Sequence, residues 1–163
     1  MKKGKKKIHN QRVITMTSHF NLEENFKLGE YYERLFANKL GVSNTITEGN
    51  FPDYDIETEN GTTYEIKAEI GKWESTGKHF VEIWNINEEK PKPSGISTTK
   101  ADFWVVALVK DKDVQEWIIV KTNDLKKLIK RNNYPFKKAK IDVWTKGAVV
   151  PLTDLRQLAL GEE

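Results

Sequence analysis

Residues 51–69 read FPDYDIETENGTTYEIKAE, two short runs in which ionisable residues alternate with apolar ones, joined by Asn60 and Gly61. Side chains on a strand alternate between two faces. Asp53, Asp55 and Glu57 therefore share one side of the first run, and Glu65, Lys67 and Glu69 share one side of the second, with Tyr64 and Ile66 on the other. An Asn-Gly pair between alternating runs predicts a β-hairpin. Pairing the runs sets acid beside acid, and like charges opposed across strands cost about 0.2–1 kcal/mol per pair. A divalent cation removes that penalty. Mg2+ favours hard oxygens and is held through one or two carboxylates plus phosphate. Asp55 and Glu65 supply such oxygens, and Lys67, two residues on, can meet a negative oxygen or orient an attacking water. A cation of this kind stabilises charge developing on a phosphoryl group, so the chemistry implied is phosphodiester hydrolysis.

The rest of the chain predicts one α/β domain. Leu28, Tyr32, Leu35, Phe36 and Leu40 recur at helical spacing and Gly41 stops them, which predicts a helix of about 12 to 18 residues. The hairpin follows, then a third strand at HFVEIWNI, residues 79–86. Residues 87–100, NEEKPKPSGISTTK, read as an exposed loop. ADFWVVALV, residues 101–109, is too apolar for a half-wet strand and predicts a buried central one. QEWIIVKT is the next strand. TNDLKKLIKRNN predicts an amphipathic helix capped by Thr122 or Asn123 and running to about Arg131. GAVVPL and TDLRQLAL close the chain as a short apolar piece and a last helical turn. The expected architecture is one central mixed sheet flanked by helices.

Composition excludes several chemistries. The 163 residues contain no cysteine, so disulfides, thiolate metal sites and cysteine nucleophiles are ruled out. No run of eighteen apolar residues is present, and the basic start has no apolar stretch behind it, which predicts a cytoplasmic protein without a membrane partner. Lys2, Lys3, Lys5, Lys6, Lys7 and Arg12 lie in the first 22 residues with no acid. The remainder then holds 21 of the 27 bases against 24 acids. Residues 1–20 read as a basic flexible arm that can add affinity for phosphate backbones by counterion release, and residues 21–163 as the folded domain.

Pro52-Asp53, followed after eleven residues by Glu65-Ile66-Lys67, resembles the PD-(D/E)xK nuclease superfamily, with its restriction endonuclease-like and Holliday junction resolvase-like members. The likeness spans residues 29–120 and extends to the layout of helix, acidic hairpin, further strand, helix and more sheet. It implies a restriction endonuclease-like αβββαβ core and a metal-dependent endodeoxyribonuclease cutting DNA with Mg2+, for which Mn2+ can substitute. Carried over by position, Glu65 is a metal ligand and Lys67 the catalytic lysine. The other ligand is Asp53, which follows the proline, or Asp55, whose Tyr54-Asp55-Ile56 setting fits many relatives better. Junction-resolving relatives add a helical glutamate, which GEYYE offers as Glu33, with Glu30 second. Resemblance to small phage-type nucleases gives Glu82, Ser94, Thr99 and Lys100 supporting or substrate-contacting roles. One active centre per domain points to a homodimer, or to two successive nicks, for cutting both strands.

Plainer readings stand beside these. A cross-strand Glu and Lys on a solvated face is common, and an isolated acid-x-lysine is a weak motif. Glu33 can pair with Arg34 or Lys39 on a surface helix. His9, His19 and His79 lack metal-ligand spacing. Trp73 and Trp84 flank the hairpin and can stack on a base, whereas Trp104, Trp117 and Trp144 sit in apolar patterns expected of a core. The alternative function is a module that binds nucleic acid without cutting it, and the third is a structural domain with a polar hairpin.

Overall fold

The computed structural model describes residues 5–7, 22–41, 44–47, 53–87, 90–140 and 144–160. Pro52 and most of the basic arm lie outside the described residues. The fold is mixed α/β.

The first helix, α1 (Leu22–Leu40), follows β1 (Lys5–Lys7). Its apolar spacing buries Leu28, Tyr32, Phe36 and Ala37 along one stripe. Gly41 ends it with φ +67°, donating its N–H to Asn38 at 3.3 Å. Then come β2 (Asn44–Thr47), β3 (Ile56–Thr58) and β4 (Thr63–Ile70), a short helix α2 (Trp73–Thr76), β5 (Lys78–Asn87) and β6 (Lys90–Pro93). A 3-10 turn at Gly95–Ser97 leads into β7 (Phe103–Lys110) and β8 (Asp113–Lys121). The chain continues through α3 (Thr122–Asn132), β9 (Phe136–Lys140), β10 (Trp144–Pro151) and α4 (Leu152–Leu160).

The strands form two sheets, not the single one expected. A mixed sheet runs β1-β2-β3-β4-β7-β8, and an antiparallel one runs β6-β5-β10-β9. The hairpin strand β4 pairs in parallel with β7, setting Glu65 beside Trp104 and Lys67 beside Val106. A parallel pair needs a crossover. Here α2, β5, β6 and the 3-10 turn make it by an excursion into the second sheet, so the third strand of the expected order does not pair with the hairpin. The stretch read as an exposed loop holds β6 and the 3-10 turn. The strands β2 and β9 had no counterpart in the expectation. The first acidic run extends as a strand only from Ile56, with Asp53 and Asp55 in the bend before it. Lys5–Lys7 pairs with β2 as an edge strand, so part of the basic arm belongs to the sheet. No side chain caps α3, and extended Lys121 occupies the cap position.

Burial on both faces explains the apolar run of β7. Val105, Ala107 and Val109 pack towards α1. Trp104, Val106 and Leu108 face the opposite core, which contains Val81 of β5, Ala148 and Val150 of β10, and Leu125 and Leu155 of the last two helices. The alternation along β4 obeys the same division. Tyr64, Ile66, Ala68 and Ile70 pack on the α1 side, which turns Glu65, Lys67 and Glu69 towards the second sheet.

Two close backbone approaches lock the second sheet. A Cβ on Gly95, whose φ is +55°, would stand 2.3 Å from the Glu82 carbonyl oxygen, and one on Gly147 would stand 2.2 Å from that of Val81. Gly77 also has positive φ, +64°, but nothing lies within 4 Å of its added Cβ. Gly95→Ala should therefore cost about 2–4 kcal/mol, strain and overlap together, and Gly77→Ala only about 1–2 kcal/mol. Urea denaturation of the two variants checks the ranking, and equal losses would contradict it.

Candidate active site

The carboxylate of Asp55 replaces a rung of the sheet. Pairing of β3 with β4 begins at Ile56 opposite Tyr64. Before it, the Asp55 N–H donates to the Tyr64 carbonyl at 2.9 Å, while the Ile66 N–H donates to Asp55 Oδ2 at 2.8 Å. A side chain thus satisfies an amide that the next carbonyl of a longer β3 would have taken. The acid is held against β4 between the positions of Glu65 and Lys67.

Glu65 and Lys67 share one face of β4, and their side chains meet, Nζ to Oε1 at 2.9 Å. Glu65 is buried, and its Oε2 lies 3.4 Å from the Thr99 hydroxyl. The Lys67 ammonium stands 5.5 Å from the centroid of the Trp104 ring, a cation–π distance. Burial would favour the neutral amine. The charges of Glu65, Asp55 and Glu82 and the hydrogen bond to Glu65 outweigh it and hold the ammonium well above its ordinary range. Lys67 is a fixed cation here, suited to donating hydrogen bonds and not to accepting a proton.

Glu33 reaches the cluster from α1. Burial first, then the charges of Asp55 and Glu65, with a smaller push from Glu30, raise its pKa to about 9 against the pull of Lys67. A carboxyl pushed that far, by burial and then by acidic neighbours, is the kind of perturbed group that clusters at functional sites. Among the described residues no three Asp, Glu or His side chains already converge as a cation cage. The donor chemistry nevertheless fits a hard divalent ion: the charges of Asp55 and Glu65 act on Glu33, and both act on the Lys67 ammonium.

The remaining expected site residues divide. Asp53 has partners of its own: its Oδ1 lies 3.8 Å from Lys100 Nζ, and its carbonyl accepts from the Lys100 N–H and the Thr99 hydroxyl. Thr99 is buried and braces Asp53 and Glu65 from within. The side chain of Lys100 is 75% exposed and open to a ligand. Glu82 of β5 adds its charge to the field at Lys67. Ser94 donates its N–H to the Ile83 carbonyl, and its hydroxyl is buried with no hydrogen-bond partner among the described residues.

A polar chain beneath the cluster had no sequence signal. Trp104 donates its indole N–H to His79 Nε2 at 3.1 Å, which leaves Nδ1 to donate to Glu69 Oε1 at 2.6 Å. Glu69 also accepts the Phe80 N–H. The parallel register that sets Trp104 beside Glu65 joins residues far apart in the chain, and no local pattern reveals it. Trp73, expected to be free to stack, donates its indole N–H to the Val109 carbonyl at 2.8 Å. Trp144, expected in the core, is exposed. A cavity of about 350 Å3 between α3 and α4, lined by Asp124, Leu128, Arg131 and Asp154, shares no residue with the cluster.

A raised carboxyl keeps in the folded chain a proton that the unfolded chain has released. Stability therefore falls as pH climbs from about 4.5 towards about 9. Glu33→Gln removes that dependence, so the variant should gain on the wild type as pH rises across this window. Urea midpoints at pH 5 and pH 9 measure it, and a constant difference would contradict the crowding of Glu33 by Asp55 and Glu65.

No family model matches this chain, and neither a curated protein nor a solved structure matches it, so the chemistry of the cluster rests on its own residues.

Proposed function

We propose that the chain is a Mg2+-dependent nuclease hydrolysing phosphodiester bonds in DNA, with a restriction endonuclease-like arrangement of its hairpin and helix. The observation that carries this reading is the latch of Asp55 onto the Ile66 amide, which holds one acid beside the Glu65–Lys67 pair. Asp55 and Glu65, with Glu33, would hold the cation. When bound, Mg2+ supplies charge stabilisation at the phosphoryl oxygens and lowers the pKa of water. Lys67, kept charged by its acidic neighbours, donates to a phosphoryl oxygen or orients the attacking water. Thr99 steadies Glu65, and exposed Lys100 offers a contact to the nucleic-acid backbone. A single cluster cuts one strand, so a double cut takes two copies or two successive nicks.

The second reading, a binding module that does not cut, draws support from the partners of Glu65, one oxygen on Lys67 and the other near Thr99. Cleavage separates the two. With supercoiled plasmid, Mg2+ should give nicked product and EDTA none. Lys67→Ala, Glu65→Ala and Asp55→Ala should each lose at least about a hundredfold in rate, and Asp53→Ala should retain most of it. Absence of cleavage by the folded wild type with Mg2+ favours the binding module, and undiminished cleavage by Lys67→Ala contradicts the assigned roles.

A further inference from the structure

The second sheet carries an exposed aromatic and basic patch at the end of β10 beyond its packed residues. At a register shift between Lys146 and Gly147, where β5 takes two residues to one of β10, Lys146 stands opposite Trp84 and Trp144 opposite Ile86. The neighbouring strands extend both rows: Pro93 lies opposite Trp84 and Lys138 opposite Lys146, while Pro91 lies opposite Ile86 and Lys140 opposite Trp144. Directly opposed residues share a face. Among the described residues the large hydrophobic side chains left exposed are Trp84 (38%), Trp144 (46%) and Phe136 (54%), and all three belong to this sheet. Lys146 Nζ lies 5.2 Å over the Phe136 ring.

Charge on β6, β9 and β10 has one sign, with lysines and no acid, while β5 carries Lys78 and Glu82. By strand alternation Lys138 and Lys146 fall on the face of Trp84 and Trp144, and Lys92 and Lys137 on the other. Glu88, Glu89 and Asp142 lie outside the described residues. A second copy docked through a twofold axis would set this face against its own image, lysine towards lysine. A polyanion with flat apolar groups has the opposite character and complements it.

We propose that this face binds single-stranded nucleic acid, with unpaired bases stacked on Trp84, Trp144 and Phe136 and phosphates met by Lys138 and Lys146. A duplex hides the faces of its bases, whereas a single strand offers them, and aromatic side chains on a four-stranded sheet are a physical platform for two or three bases. Trp84 lies two residues along β5 from Glu82, whose charge acts on Lys67. The platform shares β5 with Glu82, and a single strand, or an unpaired segment of a larger molecule, is the substrate class that fits it. What is done to that strand rests on the nuclease reading, but its binding does not.

Fluorescence anisotropy of the full chain in EDTA tests this, with end-labelled oligodeoxythymidylate, oligouridylate and a blunt duplex of equal length as probes. Single strands, DNA or RNA, should bind more tightly than duplex. Trp84→Ala with Trp144→Ala should weaken single-strand binding on the order of ten- to a hundredfold, and the paired Phe substitutions should retain most of it. Unchanged single-strand affinity in the alanine variant, or equal loss on duplex, would overturn the proposal. So would sedimentation showing a wild-type dimer that the alanine substitutions dissociate. No cleavage is read, so failure of the nuclease reading leaves these outcomes intact.

Discussion

One hydrogen bond organises this molecule's chemistry: the Ile66 amide given to the carboxylate of Asp55. A backbone carbonyl in that place would have lengthened the β3–β4 pairing and left Asp55 to solvent. The side chain instead closes the ladder and keeps a carboxyl at the edge of β4, where Glu65 and Lys67 already share a face. Charge-assisted bonds of this kind are about twice as strong as neutral ones, so the acid is well anchored. That placement adds the charge of Asp55 to the burial that raises Glu33 and to the field of Glu65 that keeps Lys67 charged.

An ionisable stripe facing the space between two sheets is costly unless each group is satisfied. Glu65 is met by Lys67 and Thr99, Lys67 by Glu65 and the ring of Trp104, and Glu69 by His79 and the Phe80 amide. The Trp104 indole N–H closes the series on His79. This chain of contacts ties β4, β5 and β7 together across the sheets. Polar side chains thereby serve packing and charge at once. Glu69 and His79 belong to that bracing, while Asp55, Glu65, Lys67 and Glu33 are the groups assigned to the proposed chemistry.

Local signals survived folding where they reported on one element. The alternation of residues 63–70 partitioned Tyr64 and Ile66 from Glu65, Lys67 and Glu69, and the structure keeps that partition. Gly41 stopped α1, and the apolar run of residues 103–109 became a central strand buried on both faces. Whatever depended on distant pairing was hidden. No periodicity says that β4 lies parallel to β7 while β5 departs to a second sheet, so the seat of Trp104 below Lys67 was illegible. Trp144 lies in an apolar pattern, yet the Lys146/Gly147 bulge marks where β10 changes register with β5, and it is exposed. Asp53 and Asp55 look equivalent two residues apart, and only the bend before β3 sends one to Lys100 and the other to Ile66.

The account stands on cation capture by the latched acid and its neighbour on β4. Crystals of the full chain soaked in manganese and measured at its absorption edge test it most directly. An anomalous peak within about 2.1 Å of Asp55 and Glu65 oxygens, with Lys67 Nζ displaced from or sharing Glu65, is the predicted result. Density showing Lys67 still closed on Glu65, and no anomalous signal beside Asp55, would contradict it.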